Sequence, residues 1–256
     1  MDDYIKLISV ASIASDIQGK GINENPVDLL EFMRKQNYDM TCIYDKEALI
    51  GKILKDDLEK DNSILNIISI GLDEIISSNM PLIDFLYKII DGEKQHYFMI
   101  NDDEIIGVIS NADLLKSPVK LLIYSVFSTF ERLLTIKLKN YEDESLESIM
   151  YNDAVEKRKK FQEGNLSTKP GIAKSLELYE SLLDNNREQT FIDCAYLIEK
   201  LKYAKAYSLT KLTKKQNTKI NELRNAIMHD RDFLFMGHTK LTDILKWINQ
   251  AIEIMS

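Results

Sequence analysis

The feature that most constrains this chain is an internal repeat with a constant spacing of 56 residues. Thr41–Leu58 (TCIYDKEALIGKILKDDL) can be laid over Tyr97–Leu114 (YFMINDDEIIGVISNADL) without a gap. The matched pairs are Ile50 and Ile106, Gly51 and Gly107, Ile53 and Ile109, Asp57 and Asp113, and Leu58 and Leu114. Such a repeat indicates two copies of one supersecondary unit that bury their apolar faces against each other.

An amphipathic helix precedes each copy. Pro26–Lys35 corresponds to Pro81–Ile90, and each segment has proline at its first helical turn. The spacing between these two helices is 55, which predicts one residue gained before the following strand. Each unit therefore reads helix, strand, tight polar turn, strand, helix. The predicted strands are Thr41–Asp45, Ala48–Leu54, Tyr97–Asn101 and Ile105–Ser110.

After Pro118 the pattern changes to helices alone. Lys120–Leu138 is apolar around much of its circumference, which predicts a buried or dimer-facing helix. A basic helix containing Lys157–Lys160 follows. Further helices are predicted at Ile172–Asp184, Thr190–Ala206, Lys214–Met228 and Lys240–Ile254. We therefore expect two domains, 1–118 with an α+β fold and 119–256 with an all-α fold.

Composition sets the broad class. The chain has 256 residues, of which 45% are hydrophobic, enough for two cores. No apolar run approaches the length of a membrane span, and the chain begins with acids rather than a basic leader, so we expect a soluble cytoplasmic protein. Cys42 and Cys194 fall in different domains and are expected to be reduced. The net charge of −8 comes from the first domain, whereas the second has a slight basic excess.

The strand order of each unit, with Gly in its second strand and an acid six residues later, resembles the CBS repeat. Two such repeats pack as a pair with nucleotide clefts between them. In that family a G-h-h-[S/T]-x-x-D segment binds adenosine nucleotides, with the hydroxyl near phosphate and the carboxylate accepting hydrogen bonds from ribose. The second copy matches as GVISNAD, residues 107–113, whereas the first copy has Leu54 in place of the hydroxyl.

The resemblance implies a regulatory adenosine nucleotide (AMP, ADP, ATP or a related molecule) as ligand. Its candidate binding residues are Ile109, Ser110, Asp113 and Asp57. The alternative is that Ser110 only caps a helix, because Ser at a strand end followed by Asp one turn later is an ordinary cap.

A polar group stands near the end of the predicted helix Lys214–Met228. Asn225 and His229 are four residues apart and share a helix face, whereas Arg224 lies about 140° from His229 around the axis. One helix alone aligns Arg and His poorly. Two such helices crossing at a two-fold interface bring two Arg and two His around one phosphate.

This R-N-x-x-x-H segment, late in a helical domain, resembles the HEPN superfamily, many of whose members are metal-independent ribonucleases that act as dimers. The resemblance implies that His229 transfers a proton, Arg224 stabilises the scissile phosphate and Asn225 orients the substrate or the His. No cofactor or metal is expected, because the RNA 2′-hydroxyl is the nucleophile. Lys214, Lys215 and Lys219, from a run of lysines without an intervening acid, are candidate RNA contacts. HEPN toxins paired with nucleotidyltransferases carry a modified Tyr where this chain has Arg231.

Two hypotheses follow. The first is a homodimeric ribonuclease that adenosine nucleotides regulate through the CBS pair. The second is a non-catalytic dimeric sensor or scaffold in which Arg224 and His229 are structural. His96 and His238 have no Cys, Asp or Glu at metal-ligand spacing and are expected to be structural or solvated.

Overall fold

The computed structural model describes residues 7–91, 94–141, 145–185, 189–228, 235–236 and 239–255. The chain divides into two compact units, and the boundary lies between Val119 and Lys120. The first unit combines helices with two small sheets, and the second is mainly helical.

Two three-stranded sheets organise the first unit. The first sheet contains β1 Gly19–Gly21, β2 Met40–Asp45 and β3 Ala48–Leu54, and its helices are α1 Pro26–Gln36 and α2 Lys55–Lys60. The second contains β4 Ile75–Ser77, β5 His96–Asn101 and β6 Glu104–Ser110, with α3 Leu82–Asp91 and a 3-10 turn at Asn111–Leu115. In each sheet the first strand pairs parallel to the second, and the second pairs antiparallel to the third. The four predicted strands are confirmed, whereas the sequence analysis missed β1 and β4.

The spacing of 56 residues extends to details of the backbone. Both sheets have a register shift at the same place, between Ile43 and Tyr44 and again 56 residues later. The tight turn that follows has a left-handed residue in each copy, Lys46 at φ 55° and Asp102 at φ 53°. The two copies therefore share one backbone design.

The predicted spacing of 55 for the helices was wrong. The buried pair Leu29 and Leu30 of α1 corresponds to Phe85 and Leu86 of α3, which again is a spacing of 56. The sequence comparison had aligned the two prolines. Pro26 begins α1, but Pro81 precedes α3 and forms a β-bridge with Ser9.

Gly51 and Gly107 are required because a segment of chain crosses each of them. Beside Gly51, the main chains of Lys52 and Ile68 exchange two hydrogen bonds, of 2.9 and 2.8 Å. A Cβ on Gly51 would lie 2.6 Å from the carbonyl oxygen of Ile68. In the second copy Ser15 pairs in the same way with Val108, next to Gly107. Each glycine therefore lets one more extended segment join the edge of its sheet.

Part of the core joins the two copies. Met40 and Cys42 of β2 form one buried cluster with Phe98 of β5. A second cluster lies within the first copy and contains Leu29, Leu30, Met33, Ile43, Ile53 and Leu58. The residues on β2 therefore hold the two sheets together at the place where the copies meet.

The second unit is built from helices α4 to α10. They are α4 Ser117–Lys139, α5 Ser145–Gln162, α6 Gly171–Asp184, α7 Phe191–Cys194, α8 Leu197–Ala206, α9 Lys214–Met228 and α10 Leu241–Met255. The predicted helix Thr190–Ala206 is interrupted, because Ala195 and Tyr196 are extended. A two-residue hairpin, β7 Phe235–Met236 with β8 Thr239–Lys240, also departs from the expectation of helices alone. Within the described ranges, no helix is long and apolar enough to cross a membrane.

Replacing Gly51 by Ala tests the crossing. The added Cβ collides with main chain rather than with a mobile side chain, so we expect the free energy of unfolding to fall by about 1–3 kcal/mol. The matched control is Gly21→Ala in β1, where an added Cβ meets no atom within 4 Å. Urea unfolding of both variants measures the difference. Equal stability of the two variants would contradict the close approach at Gly51.

Candidate functional site

A cleft of about 570 Å³ lies between the two copies in the first unit. One wall is the end of the second sheet, where His96 of β5 pairs with Ser110 of β6. The other walls are the segment 15–18 and the stretch 36–40, which joins α1 to β2. This volume is in the range of small-molecule sites, and its lining combines main-chain groups with a few polar side chains.

Asp113 sits in this cleft, but its carboxylate is engaged by the protein itself. Oδ2 accepts hydrogen bonds from the amide and the hydroxyl of Ser110, at 2.7 and 2.9 Å. Oδ1 accepts from Ser15 Oγ at 2.7 Å and lies 2.7 Å from Lys116 Nζ. Burial pushes the pKa of Asp113 upward, but these hydrogen bonds outweigh it and hold the pKa below its usual value. Asp113 thus closes the turn Asn111–Leu115 back on Ser110, as the capping alternative describes.

The structure brings together only part of the predicted nucleotide site. Ser110 and Asp113 both line the cleft. Ile109 is fully buried in the core, so its side chain is closed to a ligand. Asp57 lies on α2, where its carboxylate is 3.6 Å from Lys60 Nζ, and it is not part of the cleft lining.

Sequence reasoning missed the segment Ser15–Gln18 and the residues Asp39 and His96, all of which line the cleft. The segment lies upstream of the aligned repeats, so the repeat itself carried no signal for it. His96 was expected to be structural or solvated. It is partly buried here, and burial, with the nearby charge of Lys52, lowers its pKa.

The related place in the first copy is filled by a buried ion pair. A spacing of 56 residues relates Lys52 to Val108, and Glu74 to Gln18. Lys52 Nζ donates to Glu74, and both side chains are less than a tenth exposed. Burial pushes the pKa of Glu74 upward, but the hydrogen bonds from Lys52 and from the Gly71 amide outweigh it, and the pKa is lowered. The two copies therefore differ in chemistry at corresponding positions.

A second cleft, of about 380 Å³, lies within the helical unit. Its lining includes Tyr124, Glu131, Arg132, Ile136 and Lys139 of α4, Asp193 of α7 and Arg224 of α9. Two of the charges are neutralised, since Lys139 is 2.7 Å from Asp193, and Glu131 is 3.2 Å from Lys200. Arg224 hydrogen-bonds Asn225 Oδ1 at 3.3 Å. Across the described ranges, neither Arg132 nor Arg224 has a carboxylate partner, so the cleft carries uncompensated positive charge.

The other predicted RNA-site residues are distributed unevenly. His229 lies outside the described residues. Lys214 and Lys215 are exposed at the start of α9, whereas Lys219 pairs with Glu222 at 2.7 Å. Lys200, which begins the lysine run, is buried. Among the described residues, no three His, Cys, Asp or Glu side chains are grouped so that they could hold a metal ion.

Comparison with known proteins gives likenesses in structure alone. No family model matches the chain, and no curated protein matches it. Similar solved structures include a hemolysin-like protein containing a CBS domain from Oenococcus oeni PSU, at 15% identity and a TM-score of 0.36, over 43% of this chain and 90% of that one. The CBS domain of a bacterial CNNM/CorC family Mg²⁺ transporter in complex with ATP has 13% identity and a TM-score of 0.38, over 45% and 89%. CBSX2 in complex with AMP has 12% identity and a TM-score of 0.38, over 44% and 97%.

The bonds around Asp113 predict a stability effect. In Asp113→Ala the donors of Ser15, Ser110 and Lys116 lose their acceptor, so we expect the free energy of unfolding to fall by about 1–3 kcal/mol at neutral pH. Since the folded pKa is lowered, this contribution is present above the unfolded pKa near 3.8 and is lost as the pH falls through the folded pKa. Urea unfolding at pH 7 and at pH 3 measures both effects.

The control for this experiment is Asp45→Ala, at an exposed strand end. We expect Asp45→Ala to change stability little at either pH. Equal unfolding curves for Asp113→Ala and Asp45→Ala at pH 7 would mean that the Asp113 bonds contribute no net stability.

Proposed function

We propose that the first unit is a sensor that binds one adenosine nucleotide in the cleft between the copies. The observation that carries the proposal is the cleft itself, which both copies form and which presents the hydroxyls of Ser15 and Ser110 beside main-chain groups. The resemblance of the duplicated unit to the CBS pair supports this ligand class. AMP and ATP, the ligands named for two of the similar structures, are the first nucleotides to test.

The proposal gives a stoichiometry of one nucleotide per chain. In the first copy, Leu54 stands where Ser110 stands in the second, and the Lys52–Glu74 pair fills the neighbouring space. A second nucleotide would have to displace a buried ion pair, which is strongly unfavourable.

Calorimetric titration with AMP, ADP and ATP tests the sensor. We expect one site per chain, and we expect Ala112→Trp to abolish binding, because Ala112 is exposed and lines the cleft, where an indole ring would fill the ligand's space. Ile64→Trp is the control, since Ile64 is 68% exposed and not part of the cleft lining. Absence of binding at millimolar nucleotide would refute the sensor.

For the helical unit, we propose a metal-independent ribonuclease of HEPN type whose activity the bound nucleotide regulates. The supporting observation is the cleft containing Arg132 and Arg224, two guanidinium groups without a carboxylate partner in the described part of the chain. Guanidinium groups bind phosphate in a planar, bidentate manner. The hydrogen bond from Arg224 to Asn225 fixes the direction of one of them.

The proposed chemistry follows from these groups. The 2′-hydroxyl of RNA attacks the adjacent phosphorus while a base takes its proton, and an acid protonates the leaving 5′-oxygen. His229 is the proposed proton-transfer group, since imidazole titrates near neutral pH. Arg224 stabilises the charge on the phosphate oxygens, and Lys214 and Lys215, exposed at the start of α9, attract the RNA. A homodimer supplies Arg and His from two chains.

A second candidate is a dimeric sensor or scaffold without catalysis. The observation that favours it is a row of exposed apolar side chains on α4, with Leu121 at 62%, Tyr124 at 49% and Ile136 at 40% exposure. Such a face suits packing against another protein surface. Under this proposal Arg224 and His229 have structural roles only.

Cleavage of total RNA in the presence of a chelator separates the two candidates. For the ribonuclease we expect Arg224→Ala and His229→Ala each to lower the rate at least about a hundredfold, with unchanged circular dichroism. The matched control is Arg158→Ala on α5, whose guanidinium is 2.6 Å from Glu180 and lines no part of the Arg224 cleft. If Arg224→Ala cuts RNA as fast as the Arg158→Ala control, Arg224 is not catalytic. A dimer that binds nucleotide but leaves RNA intact would be the scaffold.

A further inference from the structure

The cleft between the copies has acidic side chains in its lining but no lysine or arginine. Its carboxylates are Asp16, Asp39 and Asp113. His96 also lines it, but burial and the charge of Lys52 lower the pKa of this imidazole, so it is neutral at physiological pH. Positive charge for a phosphate chain must therefore come from outside the lining.

The nearest lysines are already engaged. Lys116 Nζ donates to Asp113, to Ser15 Oγ at 2.9 Å and to the carbonyl of Ile13 at 2.7 Å, which uses its three N–H groups. Lys55 Nζ is 2.8 Å from Asp39. These two pairs cancel the charges of Asp39 and Asp113.

Asp16 is the carboxylate that stays uncompensated. It is exposed, it lines the cleft, and no described residue forms an ion pair with it. The lining therefore has a net negative charge at neutral pH. A ligand that carries several negative charges meets repulsion there, whereas a neutral nucleoside does not.

We propose that this cleft binds the nucleoside end of its ligand and selects against phosphates, with Asp16 as the residue that sets the selectivity. The inference rests on the proposed function, nucleotide binding in the same cleft. Adenosine and AMP bind more tightly than ADP, and ADP more tightly than ATP, when no divalent cation is present. Each added phosphate weakens binding by about threefold to tenfold, given one uncompensated charge at the edge of the cleft and ordinary screening.

Calorimetry with adenosine, AMP, ADP and ATP, in chelator and at constant ionic strength, tests this order. The key variant is Asp16→Lys, which replaces the uncompensated carboxylate by an ammonium group. We expect it to raise the ratio of ATP affinity to adenosine affinity at least about tenfold over the wild type. The matched control is Asp45→Lys, which makes the same charge change in the same unit, at an exposed strand end that is not part of the cleft lining. We expect it to leave the ratio unchanged.

The outcomes separate the selectivity from the binding. If the wild type binds more tightly as phosphates are added, the selectivity is wrong while the nucleotide sensor stands. If Asp16→Lys and Asp45→Lys shift the ratio equally, Asp16 does not set the selectivity. If none of the four compounds binds, the proposed function itself fails.

Discussion

The main-chain pairing between Ser15 and Val108 is the contact on which the candidate site depends. Two hydrogen bonds, of 2.9 and 3.0 Å, hold the segment 15–18 against β6, and the missing side chain of Gly107 allows the approach. Once held there, Ser15 donates its hydroxyl to Asp113, and the carbonyl of Gln18 accepts a hydrogen bond from Thr41. One glycine in a strand thus fixes a wall of the cleft that lies far from it in sequence. The same device operates at Gly51, where the crossing segment contains Ile68.

The fold of the first unit was predictable where its pattern is local and repeated. The strands β2, β3, β5 and β6 alternate in ways that the aligned copies reinforce, and their turns are tight and polar. The strands β1 and β4 have three residues each, too few for any periodicity, and they form only because β2 and β5 offer parallel edges. The segment 15–18 was invisible for a similar reason, since its partners in β6 are more than 90 residues away. The prolines misled the helix alignment because proline precedes a helix as readily as it begins one.

The duplication also shows how two copies of one backbone acquire different chemistry. Val108 and Gln18 in the second copy are replaced by Lys52 and Glu74 in the first, and these two charges satisfy each other out of contact with water. A buried pair of this kind is costly to form, because both ions lose hydration, and more costly to break, because one ion is then left alone. It therefore fixes the first copy as structural, while the second copy keeps uncharged polar groups facing a cleft.

In the helical unit, charge along the sequence was a poor guide to charge in space. The lysine run suggested a phosphate-binding face, but Lys200 is buried against Glu131, and Lys219 is paired with Glu222. The uncompensated charge gathers instead at Arg132 and Arg224, which stand 92 residues apart on α4 and α9 and so share no local pattern. A run of like charges records only that no acid is near in sequence, whereas helix packing decides which acid is near in space. Arg224 was found because its neighbours resemble a known motif, and Arg132 emerges only once α4 and α9 are seen to line the same cleft.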